Sequence, residues 1–147
     1  GGLGGGGKVL QYKHMTYGTE VRTTSTSWLD TGFELNFTPK SASSVIRISA
    51  NLKVDANMKN SLRSGKTYLR FARNNSTIYE IERGYYMNTS VTNEDRTLSY
   101  WVNMIWNDQS NTVSSLNYKL KFHNDNHESA VFSENQKGLF EITEIEV

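Results

Sequence analysis

The chain has no cysteine, which removes disulfides, thiolate nucleophiles and cysteine-ligated zinc together. Stability then has to come from burial or from assembly. Proline occurs once, at Pro39. No apolar stretch approaches the roughly 20 residues a helix needs to cross a bilayer, and no signal-like segment is present, so a soluble chain without membrane insertion is expected. Neither sign of charge dominates: 16 basic residues face 15 acidic ones for a net of +1. That field is too weak to argue for nucleic acid or an anionic membrane. Apolar residues make up 36% of the chain, low against the roughly 45–50% of ordinary domains, a figure that counts glycine. A modest core under an Asn-, Ser- and Thr-rich surface suits a protein that works outside a cell or on a particle.

Catalytic signatures are missing too. The sequence holds no Gly-x-Ser-x-Gly elbow, no Walker loop and no His-Glu-x-x-His, and nothing sets a nucleophile beside its base. A non-enzymatic protein without a cofactor is expected. The segment from His123 to Glu128 gathers two imidazoles and two carboxylates in a short span. His123, Asp125 and His127 are therefore weak candidates for a metal site built from repeated ligands near a threefold axis. A solvated turn is the ordinary reading of such a polar stretch. The acids Glu80/Glu82 and Glu141/Glu144/Glu146 suit a glycoside hydrolase only if one carboxyl sits in an apolar pocket opposite a second. On strands such acids normally form the wet face. The basic residues Arg63, Lys66, Arg70 and Arg73 around Tyr68 and Phe71 likewise read as a wet strand face rather than a polyanion site. Glycosylation-type sequons at Asn36, Asn74, Asn75 and Asn88 arise readily in so Asn- and Thr-rich a sequence.

What the chain does have is a glycine run, Gly1-Gly2-Leu3-Gly4-Gly5-Gly6-Gly7, leading into Lys8-Val9-Leu10-Gln11. Glycine loses the most backbone entropy on ordering and allows unusually close approach. Residues 1–7 therefore read as a flexible or axially packed lead, and residues 8–147 as one domain. The chain then reads as the terminal module of a longer polypeptide, with a cloning linker as the bland alternative.

From Lys8 onward the apolar period is two, and turn residues interrupt it at short intervals, which is the signature of an all-β fold. Strands are predicted over 8–17, 28–29, 33–38, 45–54, 67–73, 77–82, 96–106, 116–122, 129–133 and 139–147. In the fourth of these Ile46, Ile48, Ala50, Leu52 and Val54 share one face. Leu116, Tyr118, Leu120 and Phe122 do the same in the eighth. In the last strand Phe140 and Ile142 align with Ile145 and Val147 only through a one-residue slip near Thr143 and Glu144, which predicts a bulge. Tyr100 to Trp106 is apolar on both faces, as in a central strand or one that meets another subunit. Turns are predicted at Asp30-Thr31-Gly32, Thr38 to Ser41, Asn74-Asn75, Arg83-Gly84, Asn107 to Ser110 and Lys137-Gly138. A turn of helix is allowed within 57–64. Short strands on this rhythm close into an antiparallel β-sandwich, jelly-roll-like, behind the Gly-rich extended segment.

Three blocks carry a family resemblance: Lys8-Val9-Leu10-Gln11 behind its glycines, the Thr/Ser-rich stretch from Thr23 to Gly32 that ends Asp-Thr-Gly, and Phe37-Thr38-Pro39-Lys40-Ser41-Ala42-Ser43-Ser44 running into Val45-Ile46-Arg47-Ile48. Together they resemble a module of tailed bacteriophages, notably those of marine and freshwater bacteria, closed by a last strand before the C-terminus. Val45 stands where a lysine is usual. The resemblance implies a non-enzymatic β-sandwich displayed on the virion, similar to tail-fibre tips and usually a trimer. It implies other virion proteins as partners and attachment to the host surface as the role. A capsid decoration or cement protein is the alternative, and a polysaccharide depolymerase fragment the weaker one.

Trimerisation also has a physical argument, because a polar sandwich with a small core gains by burying an aromatic face against its own copies. The candidate binding or oligomer surface comprises Tyr85, Tyr86, Met87, Trp101 and Trp106, with Tyr100 and Met104 beside them. Any one of these can equally be core. Host glycan is expected to bind through aromatic and amide side chains in loops at the end away from the glycine run.

Overall fold

The structure is a computed structural model, and it describes residues 7–58, 64–86, 96–125 and 127–147; the side chains of Met58, Ser64, Tyr85, Tyr86 and Arg96 lie outside that description. Among the described residues ten strands run in the order β1 (Val9–Tyr17), β2 (Val21–Thr23), β3 (Leu29–Phe37), β4 (Val45–Met58), β5 (Ser64–Arg73), β6 (Ser76–Tyr86), β7 (Arg96–Asp108), β8 (Leu116–Asn124), β9 (Glu128–Val131) and β10 (Gly138–Ile145). One 3-10 turn, Ser133–Asn135, separates the last two. Every pairing is antiparallel. The protein is an all-β sandwich.

The larger sheet is organised by β4. One edge of this strand pairs along its length with β7, while the other takes β10 and then β9 in succession, with β1 and β2 outside them. The smaller sheet has the order β3-β8-β5-β6. Ile46, Ile48, Ala50, Leu52, Val54 and Ala56 of β4 are all fully buried, so the alternation read from the sequence is the core face of the central strand. Opposite them stand Leu116, Tyr118, Leu120 and Phe122 of β8. Phe33 joins the two layers, its ring 5.3 Å from that of Phe140 and edge-on to Phe132 at 4.8 Å.

Local chemistry explains where the strands turn. Asn74 and Asn75 both take left-handed φ, at 50° and 66°, and form the two-residue hairpin between β5 and β6 that such angles favour. Asp30-Thr31-Gly32 is not a turn. It lies inside β3, where the register against β8 shifts and Gly32 has φ 112°. A Cβ there would strike the Tyr17 ring, so the glycine kinks a continuous strand. Arg83-Gly84 also runs on within β6.

The bulge expected in the last strand is absent, since β10 pairs with β4 without interruption from Leu139 to Ile145. The irregularity lies in its neighbour β1, between Val9 and Gln11. Inward positions along β10 are Phe140, Ile142 and Glu144, each fully buried. A carboxylate occupying the third core position gave the pattern its false slip.

The Glu144 carboxylate is a clasp. It accepts the backbone N–H of Lys40 at 2.8 Å and of Ser41 at 3.2 Å, the Ser44 hydroxyl at 2.9 Å and the Gln11 amide at 2.9 Å. Burial pushes this carboxyl up, but the Lys40 N–H, the Gln11 and Ser44 donors and the Ser41 N–H outweigh it and hold the group below the usual carboxylate range. The segment Thr38 to Ser44 is thus folded around one buried charge. The three-residue strand β2 was missed in the sequence because Val21–Thr23 is too short to display a period. The helical turn allowed within 57–64 falls partly outside the described residues, and its described ends, Asn57, Met58 and Ser64, are strand.

Candidate functional site

The outer face of the larger sheet can be read row by row from the register. Thr16, Leu139, Asn51 and Asn103 lie side by side across β1, β10, β4 and β7. The next row is His14, Glu141, Ser49 and Ile105, and on the other side Lys53 stands opposite Trp101. Trp101 and Ile105 are more than half exposed. Together with Lys137 and Gly138, all of these but His14 and Lys53 bound a shallow groove of about 450 Å³.

Gly138 sets the floor of this groove. A Cβ there would collide with the carbonyl oxygen of Asn51 and reach within 2.9 Å of the Phe33 ring, so β10 enters the sheet at a distance only glycine allows. Just before it, Phe132, Glu134 and Asn135 all take left-handed backbone angles. Strain of this kind persists where the surrounding structure enforces it. Here a fully buried Phe132, edge-on to Tyr17 at 5.1 Å, does the enforcing and delivers Lys137 to the rim.

The polar groups of the groove are largely uncommitted. The side chains of Thr16, Ser49, Asn51, Asn103 and Lys137 make no hydrogen bond or ion pair among the described residues, whereas Glu141 accepts the Tyr12 hydroxyl at 2.5 Å. That carboxylate pushes the Tyr12 phenol up. Unspent amides and hydroxyls around an exposed indole are the equipment of a site for a polar ligand with an apolar face.

A second hollow, of about 390 Å³, lies beside Val45, Ile78, Trp106, Asn107, Asp108 and Gln109, and there Asp108 and Asn107 are already engaged. Both Asp108 oxygens accept from Arg73 at 2.6 Å, Tyr118 donates to one of them at 2.7 Å, and Asn107 takes the Arg47 Nε at 3.1 Å. Burial, then the Asp108 carboxylate, pushes the Tyr118 phenol far up. Trp106 stacks on Tyr79 with ring centres 4.5 Å apart, which covers one face of the indole.

The expected surface residues therefore divide. Trp101 stands free on the groove face, Trp106 is half engaged, and Met104 belongs to the core, with Tyr100 packed against it. The backbone of Tyr85 and Tyr86 pairs with Gly65 and Ser64, and their side chains and Met87 lie outside the described residues. β7 is not a central strand: among the described residues it pairs with β4 alone. Its apolar outer residues Trp101 and Ile105 line the groove, whose uncommitted polar residues lie on a sheet face. The amides that matter, Asn51 and Asn103, were invisible as a pair in the sequence because only the register sets them side by side.

The two histidines go separate ways. His123 lies on the outer face of the smaller sheet, stacked on Tyr68 at 4.4 Å and edge-on to Trp28 at 4.3 Å, with the Arg70 guanidinium 4.1 Å above Trp28. His127 is buried, its Nε2 3.0 Å from the Ser129 hydroxyl and 3.3 Å from that of Thr67. Its Nδ1 is 3.7 Å from the Asp125 carboxylate. The order Asp125, His127, Ser129 imitates a hydrolytic triad, but Ser129 is fully enclosed and offers a substrate no approach. Among the described residues, no three His, Asp or Glu side chains are grouped to hold a metal ion.

The acids do not pair either. Glu144 faces the core while Glu141 faces the groove, and Glu80 and Glu82 are exposed on β6. Arg63 lies outside the described residues, and the other basic residues do not make one patch: Lys66 pairs with Glu82 at 3.3 Å, Arg70 covers Trp28, and Arg73 turns inward to Asp108.

No family model matches the chain, and no curated protein matches it. Among solved structures it is similar to dimeric latent PorU from Porphyromonas gingivalis, with a TM-score of 0.42 and 12% identity over 97% of this chain and 14% of that one. It is also similar to a chain of the T13 infectious bursal disease virus particle, with a TM-score of 0.38 and 10% identity over 92% of this chain and 38% of that one. A chain of the Gx strain of the same virus gives 0.39 and 9% over 93% and 40%. The chain thus spans well under half of each neighbour, and overlaps this loose say nothing of what it does.

Proposed function

We propose that this chain is a non-catalytic virion surface module of a tailed bacteriophage, of the tail-fibre-tip kind, which acts as a trimer and holds a host-surface glycan in the outer groove of its larger sheet. The observation that carries the glycan reading is the set of uncommitted side chains, Thr16, Ser49, Asn51 and Asn103, arrayed beside an exposed Trp101. A pyranose offers the same combination in reverse, a ring of hydroxyls around an apolar C–H face that stacks on an indole. The phage setting rests on the sequence resemblance. A shallow site binds weakly, and three copies on one axis raise the avidity without new contacts.

The test is binding of the labelled chain to a printed array of bacterial surface glycans, with Trp101→Ala compared against Val113→Ala, which removes an equally exposed apolar residue outside the groove. Loss of about tenfold or more in affinity for Trp101→Ala, with Val113→Ala unchanged, is expected. Equal binding by both variants, or no glycan bound by the parent chain, overturns the reading.

A further inference from the structure

We infer that the groove selects acidic saccharides, with the Lys137 ammonium as the group that reads the sugar carboxylate. The inference rests on the glycan reading above and adds the chemical class of the ligand. Arg22, Arg47 and Lys53 also lie on this sheet face, but none of them lines the groove. Lys53 is held by Glu134 at 3.3 Å, and Arg47 donates to Asn107 at 3.1 Å. Lys137 has no acid partner among the described residues and lines the groove.

Its place is also fixed. On one side it is followed by Gly138, pinned against the Asn51 carbonyl, and on the other its side-chain stem lies against Gly18, where even a Cβ would come within 2.8 Å of the Lys137 Cγ. The base of the side chain is thus packed, and Lys137 lines the same groove as Asn51, Asn103 and Trp101.

The one carboxylate in the groove does not cancel it. Glu141 is four residues further along the chain, about 13 Å in extended conformation, and it is tied to the Tyr12 hydroxyl. A sugar stacked on Trp101 thus meets an unpaired cation and two amides at one end, with the acid at the far end. An ammonium meeting a carboxylate in a half-dry groove makes a charge-assisted hydrogen bond, and the exposed setting makes it sensitive to salt.

The experiment uses uronic-acid oligosaccharides of galacturonan, glucuronan and mannuronan type, and the same oligosaccharides after reduction of their carboxyl groups, titrated against the full chain by calorimetry. The acidic forms are expected to bind about five- to tenfold more tightly at low salt, and that margin is expected to vanish in Lys137→Gln and near 1 M NaCl. Lys137→Arg should keep it, and the neutral forms should bind parent and variants alike. Equal affinity for acidic and reduced forms, or a margin that persists in Lys137→Gln, overturns the acidic selectivity while leaving the glycan reading in place. Binding of neither form to the parent chain, at concentrations where its fold is intact by circular dichroism, removes both.

Discussion

At the scale of single residues, Glu144 and His127 show how a polar side chain comes to occupy the core. Glu144 satisfies four donors from two segments, so Glu144→Gln leaves N–H groups facing an amide that can accept fewer of them. Destabilisation of about 2–3 kcal/mol is expected, measured by denaturant unfolding. Both groups also make the fold acid-sensitive. His127 is pushed down by burial, with Asp125 opposing in part, so its contribution is full above the unfolded imidazole value of about 6.5 and fades as pH falls through the lower folded value. Glu144 has the same sign, full above about 4.3 and lost as pH falls through its depressed folded value. A melting temperature followed from pH 8 to pH 3 should fall in two stages, with Glu144→Gln flattening the lower stage and His127→Gln the upper. A curve unchanged in either variant counts against that assignment. Neither role was legible in the sequence. An alternating acid on a strand reads as its wet face, and only the folding-back of Thr38 to Ser44 supplies the donors that let Glu144 point inward.

At the scale of elements, the strands were legible wherever one face is wet. β4 and β8 alternate cleanly because their outer faces meet solvent and their inner faces meet each other across the core. β7 was ambiguous for a reason the structure supplies: its inner face is core, and its outer residues Trp101 and Ile105 line the groove, so apolar residues occur on both sides without the strand being central. The glycines misled in opposite directions. Gly32 and Gly84 were read as turns and lie within strands, because a bulge and an open surface position tolerate glycine as readily as a turn does. Gly138 opens β10 where the backbone meets β4 too closely for any side chain. Gly138→Ala is expected to cost about 1–3 kcal/mol, roughly 2–12 °C in melting temperature, because the atom it strikes is a backbone carbonyl that cannot step aside. Calorimetry checks this, and a stability equal to the parent's would mean that β10 can slide and that the groove floor is not fixed.

At the scale of the whole molecule, composition announced a modest core, and the sandwich explains how so polar a sequence folds: two layers share one aromatic centre of Phe33, Phe71, Phe132 and Phe140, and the outer faces take the polar residues together with a few aromatic ones such as Trp101 and Trp28. The proposed trimer makes a separate prediction. Its solution mass should be three times that of the chain and should survive deletion of residues 1–7 if the sandwich carries the interface. A monomer before deletion contradicts the trimer, and a trimer lost on deletion moves the interface to the glycine-rich lead. The candidate groove was legible only in part, through Trp101, since a site assembled across four strands exists in the register and not in any local motif. The central claim is that a saccharide lies on that sheet face, and its most direct test is a backbone and side-chain amide NMR map of the chain titrated with a uronic-acid oligosaccharide. The account predicts shifts concentrated at the Trp101 indole, the Asn51 and Asn103 side-chain amides and Leu139. Shifts confined to the Asn74-Asn75 hairpin and residues 109–115, or no shifts at all, would contradict it.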